Sequence, residues 1–282
     1  MPWAHAGVVV ERDVPYAMGR VAAEAEATQF TLRPLLLDVY RPDTPAVHPA
    51  PAVILLHGGS FKEGTKDHDD LSGLARYLAE RGYVCFAADY RLLPDNPPAP
   101  PPFHLTSIQR AVHAAAVDTK AAVRFVRARS ADYGVDPQRI ALCGDSAGAI
   151  ASLLAGLTGE DRFVADGPDL PVPSENHPGV SSRPDAIVEL WGSAELVIDQ
   201  VDASDPPILI AHGTKDQHIG VYFSAALSLK AACERAGVPH VFHPLEGAKH
   251  GAWDAEYEGQ TVPEFVHAFL ERHLRPRTVA AN

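Results

Sequence analysis

Short runs of nearly unbroken apolar residues, each too brief for a buried helix, alternate along this chain with longer stretches of helical period, and that alternation decides most of what it can fold into. The runs are residues 52–56, 83–88, 139–143, 186–190, 208–211 and 241–245. A strand with one wet face alternates polar and apolar residues, whereas strands this uniformly apolar are covered on both faces. The intervening helical patterns are 71–81, 111–133, 147–157, 221–236 and 262–274. Strand alternating with helix predicts an α/β fold, a mostly parallel, doubly wound sheet. Two earlier segments, 8–15 and 35–40, carry β-branched residues, alternate, and end in turn chemistry, so the sheet is expected to open antiparallel.

The 282 residues, 46% hydrophobic and 21% charged, suffice for one large core and predict a single domain over 1–282. A formal charge of -12 argues against nucleic acid or an anionic membrane as partner, because both would repel such a surface. Cys85, Cys143 and Cys233 form an odd set without metal or redox spacing. They read as buried free thiols in a reducing cytoplasm. No signal-peptide pattern opens the sequence, and no apolar run approaches a membrane span. Two proline-rich stretches, 94–110 and 160–184, break the alternation and are expected either to form a cap or lid over a cleft or to be plain surface loops.

Gly144-Asp145-Ser146-Ala147-Gly148 follows an apolar strand and opens an apolar helix. A serine hydroxyl is a poor nucleophile, so it must project from a sharp turn beside backbone N–H groups and within reach of a base. Glycine on both sides permits that turn. The 52–56 strand runs into His57-Gly58-Gly59-Ser60-Phe61, where glycines expose main-chain donors. With the Ala147 N–H at a helix start, Gly58 and Gly59 are the expected oxyanion hole. His57 is expected to shape the loop rather than to act as a base.

His57-Gly-Gly together with Gly144-Asp-Ser-Ala-Gly148 resembles the hormone-sensitive-lipase-like and related bacterial carboxylesterases, and Asp89-Tyr-Arg-Leu92 is similar too. The resemblance runs from Leu35 to Leu274. It implies the α/β-hydrolase fold, hydrolysis of small carboxylic esters through an acyl-enzyme, and no cofactor or metal. Ser60 stands where the family usually has a third glycine, and the stretch between Arg91 and Ala121 is long, which bears on acyl-group preference.

In that fold the acid follows a late strand and the histidine follows the last one. Asp216 lies just beyond the 208–211 run, and His250 follows 241–245 in a glycine-flanked loop. Asp202 and Asp205 precede their strand, at the wrong edge. Among 14 histidines the nearest rival is His243, inside a strand. Asp145, adjacent to the nucleophile, is expected to accept hydrogen bonds from the oxyanion loop. Asp67-His68-Asp69-Asp70 reads as a helix cap before it reads as a metal site. Phe61, Leu92, Leu93, Trp191 and Ile219 fall beside the expected carboxyl-edge loops and are candidates to line a substrate pocket. Short to medium acyl chains are the expected substrates. The alternatives are an acetyl or feruloyl polysaccharide esterase, an amidase or formamidase, a peptidase, or a non-catalytic receptor of the same fold. The oligomeric state is left open, a homodimer being one option.

Overall fold

The computed structural model describes residues 7–24, 27–44, 48–98, 105–167 and 169–274. Its elements follow in the order β1 (Val8–Val21), β2 (Thr31–Pro42), β3 (Ala50–Leu56), α1 (Asp69–Ala79), β4 (Val84–Ala88), α2 (Ser107–Ala128), the single turn α3 (Ser130–Tyr133), β5 (Val135–Asp145) and α4 (Ala147–Gly156). Then come β6 (Ala186–Leu190), β7 (Ile208–Gly213), α5 (Phe223–Ala236), β8 (His240–Leu245), a small hairpin of β9 (Glu256–Tyr257) and β10 (Gln260–Thr261), and α6 (Val262–His273).

β1 to β8 form one eight-stranded sheet in the order β1-β2-β4-β3-β5-β6-β7-β8. β1 pairs antiparallel with β2, and β2 with β4, while every pair from β4 to β8 is parallel. The apolar runs sit at the centre because both faces there are covered. Val53, Leu55, Cys85, Cys143 and Val188 pack toward α1 and α6, and Ile54, Leu142, Ile187 and Ile210 toward α2, α4 and α5. All three cysteines are free and buried. Among the described residues no helix is long and apolar enough to cross a membrane.

β1 continues six residues beyond its expected end at Pro15. Proline is tolerated there because β1 is an edge strand, and the ladder bulges between Glu11/Val14 and Pro15/Ala17. The acidic run divides its work. Asp69 and Asp70 occupy the first turn of α1, where a helix dipole favours negative charge, but no side chain caps the helix. Asp67 instead pairs with Arg12 at 2.6 Å and Lys66 at 3.3 Å.

Within the 160–184 excursion, Asp166 and Asn176 tie the chain to β1, α2 and the segment after β4. Arg91, completely buried after β4, bonds Asp118 of α2 at 2.7 Å and Asp166 of the excursion at 2.8 Å. Asn176 accepts the Met18 N–H at 2.7 Å, donates to the Met18 carbonyl at 3.0 Å, and takes Arg124 Nε on its own carbonyl at 2.9 Å. In the other excursion, 94–110, residues 99–104 lie outside the described residues. Removing one member of a buried ion cluster strands the rest without compensation, so Arg91→Ala is expected to cost about 3–5 kcal/mol. Urea denaturation checks this, and an unchanged midpoint would deny the cluster any structural role.

Candidate active site

Ser146 sits between β5 and α4 with φ 51° and ψ -115°, a conformation that costs a non-glycine residue about 1–3 kcal/mol. Surrounding contacts impose it. The Ser146 N–H donates to the Leu190 carbonyl at 2.9 Å, and both flanking glycines are pressed against backbone. A Cβ on Gly144 would lie 2.2 Å from the Gly148 carbonyl carbon, and one on Gly148 only 2.0 Å from the Leu56 oxygen. The turn therefore closes only with glycine at these places.

Strands β7 and β8 bring the other two groups to the same edge. Ser146 Oγ lies 2.9 Å from His250 Nε2, and His250 Nδ1 lies 2.7 Å from Asp216 Oδ2. A carboxylate only accepts, so Nδ1 carries the hydrogen and Nε2 is left to accept from the serine. Asp216 is buried and well supplied with donors: its Oδ1 takes the His218 N–H at 2.8 Å, and His212 Nε2 lies 3.0 Å from Oδ2. The His218 ring stacks on His250 with centroids 4.4 Å apart. Neither His212 nor His218 was anticipated from sequence. His212 directly follows the 208–211 run and looks like core, although its place four residues before Asp216 was a signal.

The oxyanion loop differs from expectation at Gly58. Its N–H donates to Asp145 Oδ1 at 2.9 Å, so it is spent and cannot hold an oxyanion. The β3–β5 ladder ends where Leu56 pairs with Gly144, and just beyond it the Gly58 N–H meets the Asp145 carboxyl. Among the described residues the N–H groups of Gly59 and Ser60 meet no internal acceptor, and that of Ala147, first in α4, has none within the helix by position. Gly59, Ser60 and Phe61 all have positive φ, which turns the loop sharply after the strand. Ser60, outside the oxyanion set expected from sequence, has an N–H as unengaged as that of Gly59.

Burial pushes the Asp145 carboxyl up to about 6. His57 behaves as a loop-shaping residue. Its Nδ1 donates to the Gly58 carbonyl at 2.7 Å, its ring stacks on Tyr90, and Tyr90 Oη donates to the His57 carbonyl at 2.6 Å. Burial lowers its affinity for a proton and keeps it neutral. His243 is turned away from Ser146, against Tyr257 and Phe265.

Of the pocket candidates, three gather. Phe61 is buried edge-on to Tyr90, its carbonyl accepts the Leu93 N–H at 2.7 Å, and Leu92 and Leu93 are half-buried on the same cluster. Trp191 does not join them. Its φ of 44° folds the chain at the end of β6 and seats the ring, 0% exposed, against Trp253 in the α6 layer. Ile219 is 85% exposed on the loop after Asp216, outside the cluster of Phe61, Leu92 and Leu93.

A serine at the turn after the fifth strand, an acid after the seventh and a histidine after the eighth, on a sheet of this order, define an α/β-hydrolase. More narrowly, the chain belongs to the BD-FAE family, whose profile matches residues 37–198. Residues 193–277 match the prolyl oligopeptidase family, which covers the acid and histidine loops. The chain is similar to esterase LipC of Mycobacterium tuberculosis, 28% identical over 261 residues that cover 77% of this chain and 59% of LipC. Esterase LipQ of the same organism is 28% identical, over 92% of this chain and 61% of LipQ. The chain thus spans about three fifths of both curated relatives. Among solved structures, esterase 2 of the planctomycete Thermogutta terrifontis superposes with a TM-score of 0.67 at 26% identity, over 94% of this chain and 95% of that one.

Proposed function

We propose that the chain is a serine carboxylesterase acting on short- to medium-chain esters. The observation that carries this is the continuous hydrogen-bonded line from Ser146 Oγ through His250 to Asp216. Ser146 Oγ attacks the ester carbonyl carbon as His250 Nε2 takes its proton. The oxyanion is received by the N–H groups of Gly59, Ser60 and Ala147. Collapse expels the alcohol, which takes the proton from His250. Water then attacks the acyl-enzyme with His250 again as base, and the acid leaves from Ser146. Asp216 holds the imidazole in its tautomer and stabilises the imidazolium. Phe61, Leu92 and Leu93 offer the apolar surface for the substrate. The likeness to proteins named esterases supports ester over amide chemistry. Three buried free thiols support a reducing, cytoplasmic setting.

The test is hydrolysis of p-nitrophenyl esters from acetate to palmitate, with a p-nitroanilide of the best acyl group alongside. Turnover is expected to peak on short chains, with the anilide at least about 10²-fold slower. Silence on every ester, or a faster anilide, would move the chain to amide hydrolysis or to binding alone.

A further inference from the structure

The ring of His250 has a second imidazole laid against it. His218 stacks on it with centroids 4.4 Å apart and ring planes 12° from parallel. The loop that carries His218 is tied down on both sides of that residue. Its N–H donates to Asp216 Oδ1 at 2.8 Å, its carbonyl accepts the Val221 N–H at 3.1 Å, and the Val221 carbonyl lies 2.8 Å from His212 Nε2. Gly220, with φ 86°, turns the chain between these anchors. His218 is itself exposed, so no core packing demands a ring here. With the main chain held, keeping the ring in the stack costs little further side-chain freedom.

Both nitrogens of His250 are committed at the ring edge, Nδ1 to Asp216 and Nε2 to Ser146, and neither bond uses the face. His250 accepts from the serine as a neutral ring and becomes an imidazolium only while Ser146 or water adds to the carbonyl carbon. The π face of an aromatic ring within about 6 Å of a cation attracts it, and attracts a neutral ring much less. The contact is therefore stronger in the transition state than before it, which raises kcat and leaves KM alone.

We propose that His218 is a positioning residue of the triad whose ring face stabilises the His250 imidazolium during acylation and deacylation. The inference rests on the triad reading given above. The proton still travels only between Ser146 Oγ or water, His250 Nε2 and the leaving oxygen. His218 neither takes it nor bonds to substrate.

The experiment measures kcat and KM on p-nitrophenyl acetate at about pH 8, above the range in which imidazoles charge. It compares the intact chain with His218→Ala, His218→Phe and His218→Arg. Beside it stands inhibition by methyl trifluoromethyl ketone, which adds to a catalytic serine with the histidine protonated and so mimics the tetrahedral state. Every variant keeps the backbone N–H on Asp216, so the acid stays in place. His218→Ala is expected to lower kcat and weaken the ketone by the same factor, about three- to five-fold, with KM unchanged. His218→Phe should restore most of both. His218→Arg fills the place with a planar cation and should fall below His218→Ala on both. A spacer that merely filled the loop would instead be replaced as well by arginine as by phenylalanine. Full kcat in His218→Ala, a phenylalanine variant no better than alanine, or an arginine variant as active as phenylalanine overturns the proposal. Near-parent activity in Ser146→Ala sinks the triad itself, whereas a dead Ser146→Ala with full activity in His218→Ala sinks only this inference.

Discussion

Ser146→Ala is expected to lower kcat on p-nitrophenyl acetate by about 10⁴- to 10⁶-fold, His250→Ala by a similar factor, and the double variant by no more than the worse of the two. The reason lies in the geometry. Oγ at 2.9 Å from Nε2 is activated only through that bond, so removing either end removes the same event. What remains is the oxyanion donors and substrate binding, which stay in place and still speed hydrolysis above the rate in water. KM should move little. Losses that multiply in the double variant would mean that the two residues serve separate steps, and the proposed mechanism would be abandoned.

Gly148→Ala is expected to destabilise the protein by more than about 4 kcal/mol, enough to leave little of it folded. The new Cβ would lie 2.0 Å from the Leu56 oxygen and 2.7 Å from the His57 oxygen, both backbone atoms of the central sheet that no rotamer change can move aside. Helix α4 would have to back away from β3. Gly73→Ala is the control: it sits exposed in α1 with nothing within 4 Å of its Cβ position, so it should gain about 0.5–1 kcal/mol from helix propensity. Chemical denaturation of both variants reads the contrast, and a Gly148→Ala protein as stable as the parent would show that strand and helix do not approach so closely.

The order of strands and helices was legible because burial on two faces leaves a continuous apolar run, and the turn residues mark where each run stops. The elbow was legible too, since two glycines around a serine between strand and helix have few other uses. Direction was not. That Asp145 accepts from the oxyanion loop was expected, but which N–H it takes, that of Gly58, depends on the pairing of Leu56 with Gly144, and a one-dimensional reading cannot supply inter-strand register. Trp191 stands at the right edge of the sheet, yet one positive φ sends it to the opposite layer. Glu189 of β6 and His212 of β7 could each be placed on a face by strand period, but that they approach to 4.0 Å depends on β6 and β7 being neighbours. The far end of β1 was missed because a proline that would end a central strand is harmless on an edge.

The backward twist of the chain at Ser146 also bears on how the protein comes into being. That conformation has no local support: a glycine two residues away on each side, the Leu190 carbonyl and the backbone of Leu56 hold it, and these belong to three different strands and helix α4. A nascent or partly collapsed chain would let Ser146 relax into an ordinary dihedral well, away from His250. Esterase activity should therefore return only with the last cooperative step of refolding, and so report on completed folding more faithfully than circular dichroism, which registers helices long before the central strands are aligned.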